Sequence, residues 1–162
     1  MTEIERILTA NAAYAAGGPA LPPDARPSRG VAVVTCMDAR LDVLATLGLE
    51  VGDAHVIRNA GGRVSDDALR SLAISVQLLG VETVVVMQHT KCGLAGTTDD
   101  ALRARTGADV AFLAIDDHAA ALRRDVDVVA ATPYLTPVVA VAGLLYDVAT
   151  GAVEDVYRWQ RP

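Results

Sequence analysis

At 162 residues the chain is long enough for one domain that buries about 68–70% of its unfolded surface. Its 52% apolar and 21% charged residues exclude a disordered chain. The net charge is −6 and basic residues cluster only in the short groupings RPSR and RAR, which excludes a phosphate-tracking surface for nucleic acid.

No apolar run approaches the roughly 18 residues of a membrane span, so no membrane partner is expected. The segment MTEIERILTANAAYAAGG is acidic and amphipathic, without the basic and apolar regions of a signal peptide. A cytoplasmic, reducing setting is the expectation. There the two cysteines serve more readily as ligands or nucleophiles than as a disulfide.

In chain order, Ile4, Ile7, Leu8 and Ala12 fall at helical spacing, and GGP at 17–19 ends the pattern. ALPPDARPSRG is too rich in proline for a helix or central strand and reads as an irregular arm. VAVVTC, ending at Cys36, has the continuous β-branched character of a strand buried on both faces. LDVLATLGL reads as a short helix stopped by Gly48, and AHVIRNAGG as a second strand broken by two glycines. SDDALRSLAISVQLLG is the clearest helix, with Ser65 as cap, acids in the first turn and Gly80 as stop. VETVVVMQH is the third strand. TTDDALRAR reads as a capped helix, followed by a longer helical region near 115–131 and a linker, TPYLT. VVAVAGLLYDVATGAVEDVYR suggests a strand with a C-terminal hairpin around its Thr-Gly turn.

Strands alternating with helices predict an α/β fold with a mostly parallel sheet, of order 2-1-3-4 plus an added C-terminal strand, flanked by helices. One domain is expected over 1–162: a helix and arm at 1–29, a core at 30–97, and helices with the final strands at 98–162. Ligand sites in such sheets gather at the carboxyl ends of strands. Cys36 ends the first strand and His89 the third, so in this order both open into one crevice, with Cys92 close behind. Two thiolates and one imidazole suit Zn²⁺ in tetrahedral geometry, and three protein ligands with one open position is a catalytic pattern. The ligands lie 53 and 3 residues apart, unlike a compact zinc finger. A helix starting near Gly93 would point N–H groups at a thiolate and favour its charged form.

CMDARLD adds Asp38 and Arg40 at alternate positions after Cys36, so all three side chains can share the crevice face. The plainer alternative is a surface ion pair of little consequence.

At these residues the sequence closely resembles the β-class carbonic anhydrases, whose C-x-D-x-R and H-x-x-C motifs match Cys36-Met-Asp38-Ala-Arg40 and His89-Thr-Lys-Cys92. The intervening VIRNAGGRVSDDALRSLAISVQLLGVETVVV fits the family's RNAG loop, long helix and next strand. The likeness is strong over about residues 30–97 and falls nearest the compact bacterial branch, which includes carbonyl sulfide hydrolases. It implies that Cys36, His89 and Cys92 hold zinc for reversible hydration of CO2 to bicarbonate by zinc-bound hydroxide. It implies that Asp38 accepts a hydrogen bond from that water or hydroxide and that Arg40 orients Asp38. In some members the aspartate instead becomes a fourth ligand and closes the site. The resemblance further implies a homodimer or higher assembly whose partner chain lends apolar pocket residues. A substrate-binding glutamine of plant-like members has no counterpart in RPSRG.

Zinc acidifies water toward a pKa of about 7 when three neutral histidines hold it. Two thiolates cancel the metal's charge, so activity here is expected to rise at alkaline pH. Carbonyl sulfide hydrolysis at the same site is the nearest alternative, and a noncatalytic structural zinc site a further one. His55 reads as a structural histidine before it reads as a proton shuttle, and His118 as a solvated surface residue. NAGGRV lacks G-x-G-x-x-G spacing, so dinucleotide binding is not expected; Arg58 and Asn59 brace that loop. Lys91 is expected to be exposed, and Tyr14, Tyr157 and Trp159 to make packing or dimer contacts.

Overall fold

Four β-branched runs set the frame: Val31–Cys36 (β1), Ala54–Asn59 (β2), Thr83–His89 (β3) and Ala140–Tyr146 (β4). In the computed structural model, which describes residues 1–18 and 20–162, they pair in parallel in the order β2-β1-β3-β4. Val153–Gln160 (β5) returns antiparallel along β4. This is the expected order with its added C-terminal strand. The hairpin turns where Asp147 Oδ1 accepts the Ala149 and Thr150 N–H groups, at the Thr-Gly pair anticipated there.

Both faces of the sheet are covered, as continuous apolar strands require. One face, carrying Val34, Val84 and Val86, packs against Asp66–Gln77 (α3) and His118–Ala131 (α5). Ser65 caps α3 by accepting the Ala68 N–H at 3.4 Å, and Asp66 and Asp67 face its positive end. Its buried residues Ala68, Leu72, Ser75 and Val76 recur at helical spacing. Full burial of Leu72 alone contributes about 1.5–3 kcal/mol. On the opposite face, Val33, Met87, Cys36 and Cys92 join Leu41 and Val43, the last opening the short helix Val43–Leu47 (α2). The metal-ligand candidates thus sit at the edge of a packed core.

The N-terminal helix Glu3–Ala16 (α1) carries a capping box between Thr2 and Glu5, yet buries none of its residues against the described chain. It stops at Gly17; Pro19, the last residue of the expected GGP stop, lies outside the described residues. Asp99–Thr106 (α4) is capped by Thr98 as anticipated. The helical region expected from about 115 begins at His118, because Asp117 caps it and residues 107–117 form an irregular strap instead. TPYLT is more than a linker: Pro133–Leu135 form a 3-10 turn that buries Leu135 in the core.

His118 departs from the solvated role expected of it. It is half-buried, and its Nδ1 lies 2.8 Å from Oε1 of the fully buried Gln88. Burial holds its pKa below the ordinary histidine value, with His89 adding to the effect. His55 is structural: Nε2 donates to the Ala25 carbonyl at 2.8 Å and Nδ1 meets Ser75 Oγ at 2.9 Å, pinning the proline-rich arm to α3. Tyr157 and Trp159 pack inside the chain, with Arg123 4.8 Å from the Tyr157 ring and Arg161 5.4 Å from that of Trp159. Tyr14 remains exposed.

Candidate metal centre

Parallel pairing carries the end of β1 and the end of β3 to the same edge of the sheet. Cys36 closes β1, His89 closes β3, and the chain then turns through Thr90 and Lys91 to Cys92. Lys91 makes that turn at φ 55°, a left-handed conformation that costs a non-glycine residue about 1–2 kcal/mol. Two contacts use it: Cys92 folds back toward His89, and the Lys91 carbonyl accepts Arg40 Nη2 at 3.1 Å. The ligand atoms of Cys36, His89 and Cys92 lie within 4.8 Å of one another, all three residues buried.

His89 is oriented so that its Nε2 could take a metal ion. Its Nδ1 faces the Thr90 carbonyl at 2.9 Å, so the proton sits there and Nε2 keeps a lone pair. Among the described residues that buried Nε2 has no hydrogen-bond partner, an expensive state for a fully buried nitrogen. A cation between it and the two sulfurs satisfies it. The Cys92 thiol is pushed up by burial and by Cys36 beside it, and is drawn down by the Leu94 and Ala95 N–H groups. Those amides open the 3-10 turn Gly93–Gly96, which takes the place of the helix expected after Cys92. Two crowded thiols and an unsatisfied imidazole are a donor set that fits Zn²⁺.

Asp38 stands beside this cluster, its Oδ2 3.7 Å from His89 Nε2. Both of its oxygens are occupied. Oδ1 accepts Arg40 Nε at 2.9 Å and the Arg40 backbone N–H at 3.0 Å, and Oδ2 accepts Nη2 at 2.7 Å. These bonds hold its carboxyl well below the usual carboxylate range. The pair is therefore a forked, two-point clamp in which Asp38 is 18% and Arg40 51% exposed at the side chain. Arg58 braces the same turn, donating to the carbonyls of Cys36 at 3.0 Å and Asp38 at 2.6 Å.

Asn59 braces the glycine loop that follows β2. Its side chain accepts the Arg63 N–H at 2.9 Å and donates to the Arg63 carbonyl at 2.7 Å, closing residues 59–63 into a tight turn. Gly62 needs to be glycine on two counts. Its φ is 64°, and a Cβ there would lie 2.8 Å from the Met87 carbonyl oxygen and 2.9 Å from the Cys36 nitrogen. Replacing Gly62 with alanine is expected to lower Tm by about 3–10 °C and to weaken zinc retention, because it pushes apart the strand ends carrying two ligands. Thermal unfolding with metal analysis checks both effects. The Asp38–Arg40 turn and the glycine loop together bound an apolar cavity of about 360 Å³, floored by Cys36 and Cys92 and walled by Met37, Gly61, Leu94 and Leu102.

A buried ion pair that local sequence patterns do not announce stands behind this loop. Arg63 Nε donates to Asp125 Oδ2 at 2.6 Å and Nη2 to Oδ1 at 3.0 Å, with only 3% and 4% of the two side chains exposed.

A buried Cys2His cluster at the carboxyl edge of a parallel sheet, beside a clamped carboxylate and an apolar cavity, defines an α/β metalloprotein of the zinc type. Residues 31–131 match the family model described as carbonic anhydrase. The chain belongs to the β-class carbonic anhydrases. It is 41% identical to β-carbonic anhydrase 1 of Mycobacterium tuberculosis, over 96% of this chain and 99% of that one. The crystal structure of carbonic anhydrase from Streptococcus mutans superposes with a TM-score of 0.86 at 38% identity, covering 97% of this chain and 99% of the other. A carbon disulfide hydrolase of Acidithiobacillus thiooxidans is 45% identical over 44% of this chain and 36% of its own length.

Proposed function

We propose that this protein catalyses the reversible hydration of CO2 to bicarbonate with zinc held by Cys36, His89 and Cys92. The observation that carries the reading is the unsatisfied His89 Nε2, flanked by two thiols and 3.7 Å from a carboxylate that Arg40 holds in place. Zinc, when bound, supplies the acidity that makes water a nucleophile near neutral pH. Asp38 is anionic across the whole neutral range, so it is an acceptor only and fixes the orientation of a donor at the metal position. Arg40 occupies both Asp38 oxygens, which keeps the carboxylate from becoming a fourth ligand. Ala60, Gly61 and Leu94 offer CO2 an apolar wall that needs no hydrogen bonds from it.

The clamped Asp38 argues against a purely structural zinc site, which has no use for a carboxylate restrained beside its fourth position. Hydrolysis of a sulfur analogue such as carbonyl sulfide is a second reading, supported by the likeness to carbon disulfide hydrolases over part of the chain. Zinc analysis with stopped-flow CO2 hydration across pH, and carbonyl sulfide alongside, tests these readings. Rates should climb toward alkaline pH, since two thiolates neutralise the metal's charge and Asp38 does not titrate there. Bound zinc without turnover of either gas returns the structural reading, and full activity well below neutrality contradicts the charge argument.

A homodimer or higher homo-oligomer completes the proposal. Ile4, Ile7 and Leu8 on α1 are 71%, 61% and 63% exposed, and Met37 at the cavity mouth is 66% exposed. Apolar surface of this kind calls for a covering chain. Light scattering should give at least twice the chain mass, and Ile7→Glu with Leu8→Glu should reduce it. No helix among the described residues is long and apolar enough to cross a membrane. Paired thiol ligands suit a reducing compartment such as the cytoplasm.

A further inference from the structure

The irregular segment before α5 is held far more firmly than a connector requires. Asp99, at the first turn of α4, accepts the backbone N–H groups of Phe112 at 3.0 Å, Leu113 at 3.4 Å and Ala114 at 2.8 Å. Those bonds lower its pKa from the ordinary carboxylate value. The Leu113 carbonyl accepts Nη1 of Arg63, whose remaining donors grip Asp125 on α5. Leu113 itself sits at φ 59°, an unfavourable conformation for leucine that persists only where its surroundings over-determine it. One residue further, the Ile115 N–H donates to the Leu94 carbonyl at 3.1 Å. Ile115 is only 1% exposed. A Cβ on Gly61 would meet Leu94 Cδ2 at 2.7 Å and Ile115 Cδ1 at 3.3 Å, so the ends of both side chains lie against Gly61.

We propose that Phe112–Ile115 is a strap that fixes the position of one wall of the substrate cavity, with Ile115, Arg63 and Asp125 as positioning residues that bias which linear triatomic molecule is taken. Leu94 and Gly61 form the wall that touches substrate; Ile115 fixes where that wall stands. Arg63, anchored by Asp125, fixes Leu113 and therefore Ile115. Carbon–oxygen and carbon–sulfur termini differ in length and radius, so a shift of a few tenths of an ångström in this wall discriminates between them. The inference rests on the hydratase reading for its substrates, although the geometry of the strap is independent of it.

The test compares two variants with the wild type. Ile115→Ala empties the space behind the wall. The double variant Arg63→Met with Asp125→Leu releases Leu113 while leaving no unpaired charge in the core. Each is loaded with zinc for gas kinetics and with cobalt(II) for titration by cyanate and thiocyanate, linear anions that differ in an oxygen or sulfur terminus, followed by the cobalt absorption spectrum. The expected result is a rise of about tenfold in the thiocyanate-to-cyanate affinity ratio, as for a methylene-sized change in an apolar pocket. The ratio of kcat/KM for carbonyl sulfide over CO2 should rise in step, carried by KM, with metal content unchanged. Folded, metal-loaded variants that keep the wild-type ratios, or lose affinity for both anions equally, overturn the proposal. Should Ile115→Ala fail to fold, Ile115→Val is read by the same titration. A wild type that hydrates neither gas defeats the hydratase reading, while the anion ratios still decide the strap.

Discussion

Arg40→Ala should lower kcat for CO2 hydration by about 10–100-fold while zinc content stays at the wild-type level, the usual effect of deleting a partner that orients a metal-site group. The side chain makes two of the three bonds that fix Asp38 and a further one to the Lys91 carbonyl. The bond from the backbone N–H of residue 40 to Oδ1 survives the substitution, so Asp38 is loosened rather than released. Free to rotate, its Oδ2 needs to move little to reach the metal position, since it already lies 3.7 Å from His89 Nε2. Arg40→Lys keeps the charge but loses the fork, and should fall between the two. The pH dependence has a definite sign. Asp38 has a depressed pKa in the folded protein, so its contribution is present above the unfolded pKa and is lost as pH falls through the folded one. In the wild type that loss lies far into acid; without Arg40 it moves up toward the ordinary carboxylate value of about 3.9. Activity measured from neutral into acid pH should therefore fail earlier in the variant, whereas the variant's Tm deficit, present at neutral pH, should shrink as the wild type loses the Asp38 contribution in acid. An Arg40→Ala protein with wild-type turnover at every pH would remove the clamp from the mechanism.

What the sequence revealed of this site and what it hid have a common physical basis. The metal-ligand candidates were legible because reactive side chains are so scarce in this chain, with three histidines and two cysteines, and because β-branched runs fix where strands end. Parallel order then brings Cys36 and His89 together with no knowledge of side-chain contacts. Asp38 and Arg40 were legible because they are close in sequence to a strand end and to each other. The support behind them was not. Arg63 and Asp125 are separated by 62 residues, and RRDVDVV reads locally as the solvated face of a helix. Asp99 reads as one of two acids at a helix start, a role that any exposed aspartate fills, whereas in the fold it holds three amides of another segment. His118 looked solvated because it lies in the polar stretch IDDHAAALRR, and nothing local points to Gln88, 30 residues away on β3. Each miss is a polar contact over long sequence separation, which neither periodicity nor capping can register.

The second large effect follows from that hidden pair. Arg63→Met leaves the Asp125 carboxylate buried with only the Val64 N–H, at 3.4 Å, still directed at it. Removing one partner of a buried ion pair costs about 3–5 kcal/mol, because the remaining charge keeps its desolvation penalty and loses its compensation. For a chain of this size that is a fall in Tm of about 6–20 °C. Asp125→Leu should be equally damaging from the other side, stranding a guanidinium that retains only the Leu113 carbonyl. The double variant should recover most of the loss, since two apolar side chains of similar volume bury without either penalty. This non-additivity separates a true pair from two independently useful residues, which would give a double variant worse than either single one. Denaturation at fixed protein concentration gives the three values, the concentration being held because subunit association would shift apparent stability. A double variant recovering its stability but not its selectivity between oxygen- and sulfur-terminated ligands would mean that the fold tolerates an apolar pair at these positions, and that the charges are there to hold Leu113 and the cavity wall behind it.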